Sequence, residues 1–368
     1  MKVSILTANI QNKLSFINRA ISLKSQIPIL LNVLLETEED NLKISSTDLE
    51  IGIEVFVPAT IEEKGSITVP AKTFIELINS ISEELITLET DKETLTVKSK
   101  KTKSVFQTIK SDEFPKLYKD RGKKIATLHE EEIQNDFSSV VFASALDTTR
   151  PALSGVMVKS EESGFLLVAT DGYRLSLKHH KLLGKNAGSN NIIVPARVFK
   201  ELMSIKEESQ DIEVYTSQES SQVIFSQGKT TLIGRLIEGA FPNYEKIIPS
   251  DFSTSMEFDR EEMQKAVKIC SIFARDSANI IKLSLSKDHI TVSSQSPSLG
   301  ENTVTVEGVL KGEENEIAFN ARYLQDIFSA LSAREMVFEM TGPLNPGVFK
   351  IKDDTSFLHL IMPVRVQG

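Results

Sequence analysis

A chain of 368 residues with 40% apolar side chains can bury several ordinary cores, and its single cysteine, Cys270, excludes a disulfide framework. A formal net charge of −9 argues against a surface coated for nucleic acid, and no run nears the ~20 apolar residues of a membrane helix. The start, Met1-Lys2-Val3-Ser4-Ile5-Leu6, lacks the apolar run of a secretion leader, so a cytoplasmic protein is expected.

The chain opens on a short strand and a helix whose stripe is Ile10, Leu14, Ile17 and Ile21. Alternating strands follow, among them 42–45 and 51–57. Then Thr68-Val69-Pro70-Ala71-Lys72-Thr73-Phe74-Ile75-Glu76-Leu77-Ile78 leads a strand into a second helix. After further strands at 85–89 and 95–98, Val105-Phe106 reads as an edge strand, and Phe114-Pro115 closes the unit.

The same order then returns twice. Ile133, Phe137, Val140 and Val141 mark the next first helix, and Met263, Val267, Cys270 and Phe273/Ala274 the one after. The strand-to-helix passage reappears as Ile193-Val194-Pro195-Ala196-Arg197-Val198-Phe199 and as Ala318-Phe319-Asn320-Ala321-Arg322-Tyr323-Leu324. Val69, Val194 and Phe319 stand 125 positions apart. Pro70 and Pro195 are predicted at the first helical position, where no N–H donor is needed, and Asn320 as a cap. The fold class is therefore α+β. Three tandem domains, 1–122, 123–250 and 251–368, each set two helices on roughly eight antiparallel strands.

The charge is unevenly spread. Residues 1 to 35 hold Lys2, Lys13, Arg19 and Lys24 without a carboxylate, whereas acid gathers at Glu130-Glu131-Glu132 and Glu313-Glu314-Asn315-Glu316. One basic face on an acidic body can hold nucleic acid on that face alone.

Catalytic chemistry is missing. Gly228-Lys229-Thr230 imitates the end of a phosphate loop, but Val223 stands where that loop needs glycine. His179 and His180 are adjacent in a predicted strand, so they point to opposite faces and cannot share a metal. Cys270 lies on an apolar helical stripe and is expected in a core. Asp171-Gly172-Tyr173-Arg174 matches Ser46-Thr47-Asp48-Leu49 as a repeated hairpin turn. No cofactor and no metal are expected.

The threefold order, with Val168-Ala169-Thr170-Asp171-Gly172-Tyr173-Arg174-Leu175, Ile27-Pro28-Ile29-Leu30, Thr149-Arg150-Pro151-Ala152-Leu153-Ser154-Gly155-Val156 and Ile361-Met362-Pro363-Val364-Arg365, resembles the bacterial beta sliding clamp family, the beta subunits of DNA polymerase III. The resemblance covers the whole chain. It implies a non-catalytic processivity factor whose homodimer is a six-domain ring around duplex DNA.

It also implies site residues. DNA would face Lys13, Arg19, Lys24, Lys72, Arg150, Arg197, Lys265, Lys268 and Arg322, although Glu130-Glu131-Glu132 departs from a basic lining. Linear motifs of the replicative polymerase, the clamp loader and other partners would occupy a groove between the second and third domains. One wall is Leu153, Thr170, Gly172, Tyr173, Arg174, Leu175, Pro242 and Ile247; the other is Asn320, Tyr323, Leu344, Pro346, Met362, Pro363, Val364 and Arg365. Val105 and Phe106 would meet Ile272 and Phe273 of a second copy.

If the chain encircles DNA, size requires a dimer, because a unit of about 125 residues is a body roughly 36 Å across. Three in a ring leave a hole of about 6 Å, narrower than one ~12 Å major groove, and six leave about 36 Å. Two rivals stay open: a monomeric peptide-binding scaffold, and a nucleic-acid enzyme with an unrecognised site.

Overall fold

In the computed structural model, which describes residues 1–22, 25–147, 149–182 and 191–365, backbone contacts gather into two units. One combines Met1–Glu130 with Arg197–Leu236, and the other Glu131–Ala196 with the chain from Ile237 onward. The grouping follows the backbone ladders, which run from one repeat into the next.

In the first unit a five-stranded sheet runs Thr60–Glu63, Lys2–Leu6, Leu85–Asp91, Thr94–Lys98, Lys103–Gln107, so the last strand is an edge, as its sequence suggests. An eight-stranded sheet runs Lys123–His129, Asp211–Ser217, Gln222–Gln227, Thr230–Arg235, Ile51–Pro58, Asn41–Thr47, Asn32–Glu38, Ser66–Pro70. It joins two repeats where Leu232 pairs with Ile53 and Gly234 with Ile51. The Ile51–Pro58 strand is buried on both faces. Helices take one side, and the Phe114–Tyr118 segment crosses the other: Leu117 lies over Gly52, and the Tyr118 hydroxyl donates to Glu54 at 2.9 Å.

The Thr7–Ile17 helix buries Ile10, Leu14 and Ile17. It ends before Ile21, because the chain tightens into a 3-10 turn at Asn18–Ala20. The Ala71–Ser80 helix buries Phe74, Ile75 and Ile78. Pro70 closes the preceding strand and occupies the cap, so this helix starts one residue later than predicted. Each such side chain withdrawn from water contributes roughly 1.5–3 kcal/mol.

In the second unit a twelve-stranded sheet runs Ile192–Pro195, Gly155–Glu161, Gly164–Thr170, Arg174–Lys181, Asp354–Ile361, Gly347–Ile351, Glu335–Met340, Thr254–Asp259, Gly300–Gly312, His289–Ser296, Ile280–Leu285, Asn315–Asn320. It joins repeats where Arg174 pairs with Ile361 and Leu175 with Leu360. The Gly300–Gly312 strand changes partner midway. Residues 300–307 pair with His289–Ser296, and residues 308–312 with Thr254–Phe258. The first half therefore keeps one open edge among the described residues.

The helix around Glu130–Glu132 and Ser138–Val141 passes through a π-helical turn at Ile133–Phe137 that periodicity does not announce. The Arg260–Ala274 helix is capped by Asp259, which accepts the amides of Glu261 and Glu262. Asn320 caps Ala321–Ala330 as predicted, accepting from Arg322 N–H at 2.9 Å. Cys270 is buried there with Met263, Val267 and Phe328, and desolvation pushes its thiol up to about 11, so it stays protonated. Phe319, Phe328, Phe338 and Phe349 interlock edge-on and tilted in the same core. Among the described residues no helix is long and apolar enough to cross a membrane, and no His/Cys/Asp/Glu cluster could hold a metal ion.

Candidate functional site

The hairpin between Gly164–Thr170 and Arg174–Lys181 is closed by side chains. The Thr170 hydroxyl accepts the Gly172 amide at 3.0 Å and donates to the Arg174 carbonyl at 2.6 Å. Asp171 Oδ1 accepts the amides of Tyr173 and Arg174 at 2.9 and 3.0 Å. Gly172 is needed because φ is +94° there, and a Cβ would meet the Arg150 guanidinium at 3.3 Å. The first repeat builds the same turn. Thr47 bonds Leu49 N–H and Ile51 O, and Asp48 Oδ1 takes the amides of Glu50 and Ile51.

The turn aims Arg174 inward, where it is buried. Its guanidinium donates to Asp171 at 3.0 Å, to Asp326 at 2.6 Å and to the Phe142 carbonyl at 2.8 Å. The rings of Tyr323 and Phe142 flank it, with centroids 4.7 and 5.5 Å away. Burial, and next the Asp171 carboxylate, push the Tyr323 phenol above its ordinary range, so it is neutral. Beneath lies His359, fully buried and opposite Ser176 in the ladder. Ser176 donates its hydroxyl proton to Ser139 O at 2.8 Å, so the 3.0 Å contact with His359 must be donated by Nδ1.

The two walls predicted for a groove meet at this knot. Met362 N–H donates to Tyr173 O and Val364 N–H to Ala318 O, both at 2.8 Å. Leu175 packs with Tyr244, Val348 and Leu360, while Leu153 is buried in the 3-10 turn Pro151–Ser154. Tyr173, Ile247, Leu344 and Met362 leave apolar surface exposed. Pro242, Ile247, Leu344, Pro346, Pro363 and Arg365 stand on flanking segments and make no hydrogen bond or ring contact with the turn among the described residues. Phe142, Asp326, Ser139, Ser176 and His359 were not foreseen here. One signal was available for Asp326, since Glu76, Glu201 and Asp326 recur every 125 positions.

The predicted DNA-facing bases fall into two groups. Lys13 is ion-paired with Glu207, Arg19 with Glu201 at 2.8 Å and Arg197 with Asp48 at 2.5 Å. Lys72, Lys265, Lys268 and Arg322 are exposed and make no ion pair among the described residues. The Arg150 guanidinium donates to the Asp171 carbonyl at 3.3 Å. Lys24 lies outside the described residues. Val105 is exposed on the sheet edge, Phe106 packs edge-on against Phe74, and Ile272 projects from the Arg260–Ala274 helix beside half-buried Phe273.

Other features carry no chemistry. Gly228-Lys229-Thr230 is a hairpin turn between strands, without the helix that a phosphate loop opens. His179 meets Glu161 on one face, and His180 is buried against Asp136 on the other.

Three family models tile the chain: the N-terminal domain of the DNA polymerase III beta subunit over residues 1–118, its central domain over 127–243 and its C-terminal domain over 245–365. The chain belongs to the DNA polymerase III beta subunit family. The beta sliding clamp of Bacillus subtilis is 29% identical over 99% of this chain and 100% of its own length, and that of Staphylococcus aureus 29% over 94% of each. The solved structure of the DNA polymerase sliding clamp from Bacillus subtilis superposes with a TM-score of 0.95 at 28% identity, covering both chains completely. A sliding clamp from Bartonella birtlesii bound to griselimycin gives 0.93 at 26%, again over all of both chains. As a family member, the chain is a non-catalytic sliding clamp that serves DNA polymerase as a processivity factor.

Proposed function

We propose that two copies close head to tail into a ring of six domains around duplex DNA, and that each copy offers the Tyr173–Met362 surface to linear motifs of its partners. Those partners are the replicative polymerase, the clamp loader and other clamp-binding proteins, met in the cytoplasm at replication forks on the nucleoid. The domains are 1–122, 123–250 and 251–368.

One observation carries the ring. Repeats join inside the chain by pairing Ile51–Pro58 with Thr230–Arg235, and again Arg174–Lys181 with Asp354–Ile361. The third strands in this series, residues 300–307 and Lys103–Gln107, have open edges. A second copy satisfies both. Carrying over the observed register sets Val105 opposite Gly300 and Phe106 opposite Leu299, an exposed apolar residue near the position expected for Ile272 and Phe273. Enclosed DNA meets the bases of the helical layer through its phosphates, which carry no sequence information.

The test separates enclosure from adhesion. Labelled protein is loaded on a nicked plasmid, the complex is isolated, and half of it is linearised. The linear half is expected to shed its clamps while the circular half retains them. Equal retention with unblocked ends overturns the ring.

A further inference from the structure

The three ion pairs on the first unit's predicted DNA-facing bases share a pattern. In every one the acid is the more buried partner: the side chain of Glu207 is 10% exposed against 22% for Lys13, Glu201 15% against 46% for Arg19, and Asp48 14% against 41% for Arg197. Two of the acids are also held by a further group. Glu207 accepts the Thr230 hydroxyl as well, and Asp48 is held through its other oxygen by two amides of its own turn. Among the bases, Arg197 also donates to Arg19 O at 2.8 Å.

Resting on the reading that these bases face DNA, we infer that Glu207, Glu201 and Asp48 set how weakly the clamp grips it. A neutralised pair exerts little attraction beyond a Debye length of about 8 Å at physiological salt. Its outward N–H groups can still touch a phosphate at close range. Such a contact brings no net positive charge to the duplex, so it releases few counterions. A base without an acid steepens the dependence of log K on log salt by about 0.9 per phosphate neutralised. Grip then comes from Lys72 and the other unpaired bases, while Lys13, Arg19 and Arg197 offer brief contacts that impose little drag on sliding. Glu207, Glu201 and Asp48 thus become affinity-determining residues that need never touch DNA. The cavity of about 950 Å³ beside Lys13 is lined by Glu207, Thr230, Lys206 and Lys229. It gives a freed Lys13 room to reorient.

The experiment uses full-length protein and a short linear duplex of random sequence, read by fluorescence anisotropy from 50 to 300 mM salt. Glu207→Gln keeps shape and hydrogen bonding but frees the lysine, so the salt slope should steepen by about 0.9. Glu207→Gln with Lys13→Ala should return to the parental slope, and Glu201→Gln should repeat the effect through Arg19. A separate Lys13→Cys protein, dye-labelled there because Cys270 is buried, is loaded on duplex DNA carrying a quencher. Strong quenching is expected. Absence of quenching overturns the DNA-facing reading and this inference together. Quenching with an unchanged Glu207→Gln slope, or a steeper slope that survives the double substitution, overturns the inference alone.

Discussion

Arg174 donates to the carboxylate of Asp326 at 2.6 Å across 152 residues of sequence, and this contact joins the hairpin turn to the Ala321–Ala330 helix. The two residues should not be equal in consequence. The Asp326 side chain is 45% exposed, so water screens its share, and Arg174 keeps Asp171 and the Phe142 carbonyl without it. Asp326→Ala should cost about 1 kcal/mol. Arg174→Ala removes the ion-pair partner of Asp171, frees the Phe142 carbonyl and leaves a gap between two rings, so it should cost about 3 kcal/mol. The larger change should also weaken a polymerase-tail peptide at least tenfold, because Tyr173 and Met362 stand on the backbone that it braces. Urea denaturation and peptide anisotropy give both values. Equal losses for the two variants would contradict the assigned hierarchy.

The second expectation concerns acid. Burial first, then the nearby Arg174 cation, hold the His359 imidazole well below its ordinary value of 6.5. Its Nε2 has no hydrogen-bond partner among the described residues, so an added proton would have no acceptor. The unfolded chain takes up that proton below pH 6.5 and the folded chain does not. Stability is therefore fully present above pH 6.5 and falls as pH drops below it, until the folded imidazole itself titrates. The loss from this group should reach about 1 kcal/mol by one pH unit below the unfolded-state value. His359→Phe should flatten that part of the profile, since Ser176 retains its bond to Ser139. An unchanged slope between pH 7.5 and 5.5 would place the acid sensitivity elsewhere.

The third concerns assembly. Ile272→Ala with Phe273→Asp removes one apolar contact and charges another, without touching the core residues Val267, Cys270 and Ala274 on the same helix. Light scattering should report a folded species of 40.9 kDa where the parent reports twice that mass. A double variant that keeps the dimer mass at low concentration refutes the interface.

Much of this was legible in the chain. The 125-residue recurrence located the strand-to-helix passages, and the match of Asp171 to Asp48 identified a hairpin that recurs almost atom for atom. The edge character of Val105-Phe106 followed from its place after the charged hairpin Lys98 to Lys103. What local pattern could not convey is pairing over distance. Lys13 meets Glu207 across 194 positions and Arg197 meets Asp48 across 149, so bases that looked free in sequence are already matched. The π-turn at Ile133–Phe137 was hidden because one inserted residue leaves the apolar stripe almost intact. The start of the Ala71–Ser80 helix was misplaced by one because proline suits both a cap and a first turn.

The ladders that run from one repeat into the next have a mechanical consequence. Where Leu232 pairs with Ile53, or Leu175 with Leu360, neighbouring repeats share a sheet, and bending the joint means stretching several backbone hydrogen bonds at once. Each such joint is stiff and brittle: it yields by tearing and has no soft hinge. Compliance is then left to gentle changes of strand twist along each sheet. In the proposed two-copy ring, a load would be carried through the intrachain joints and concentrated at the two seams where no peptide chain crosses.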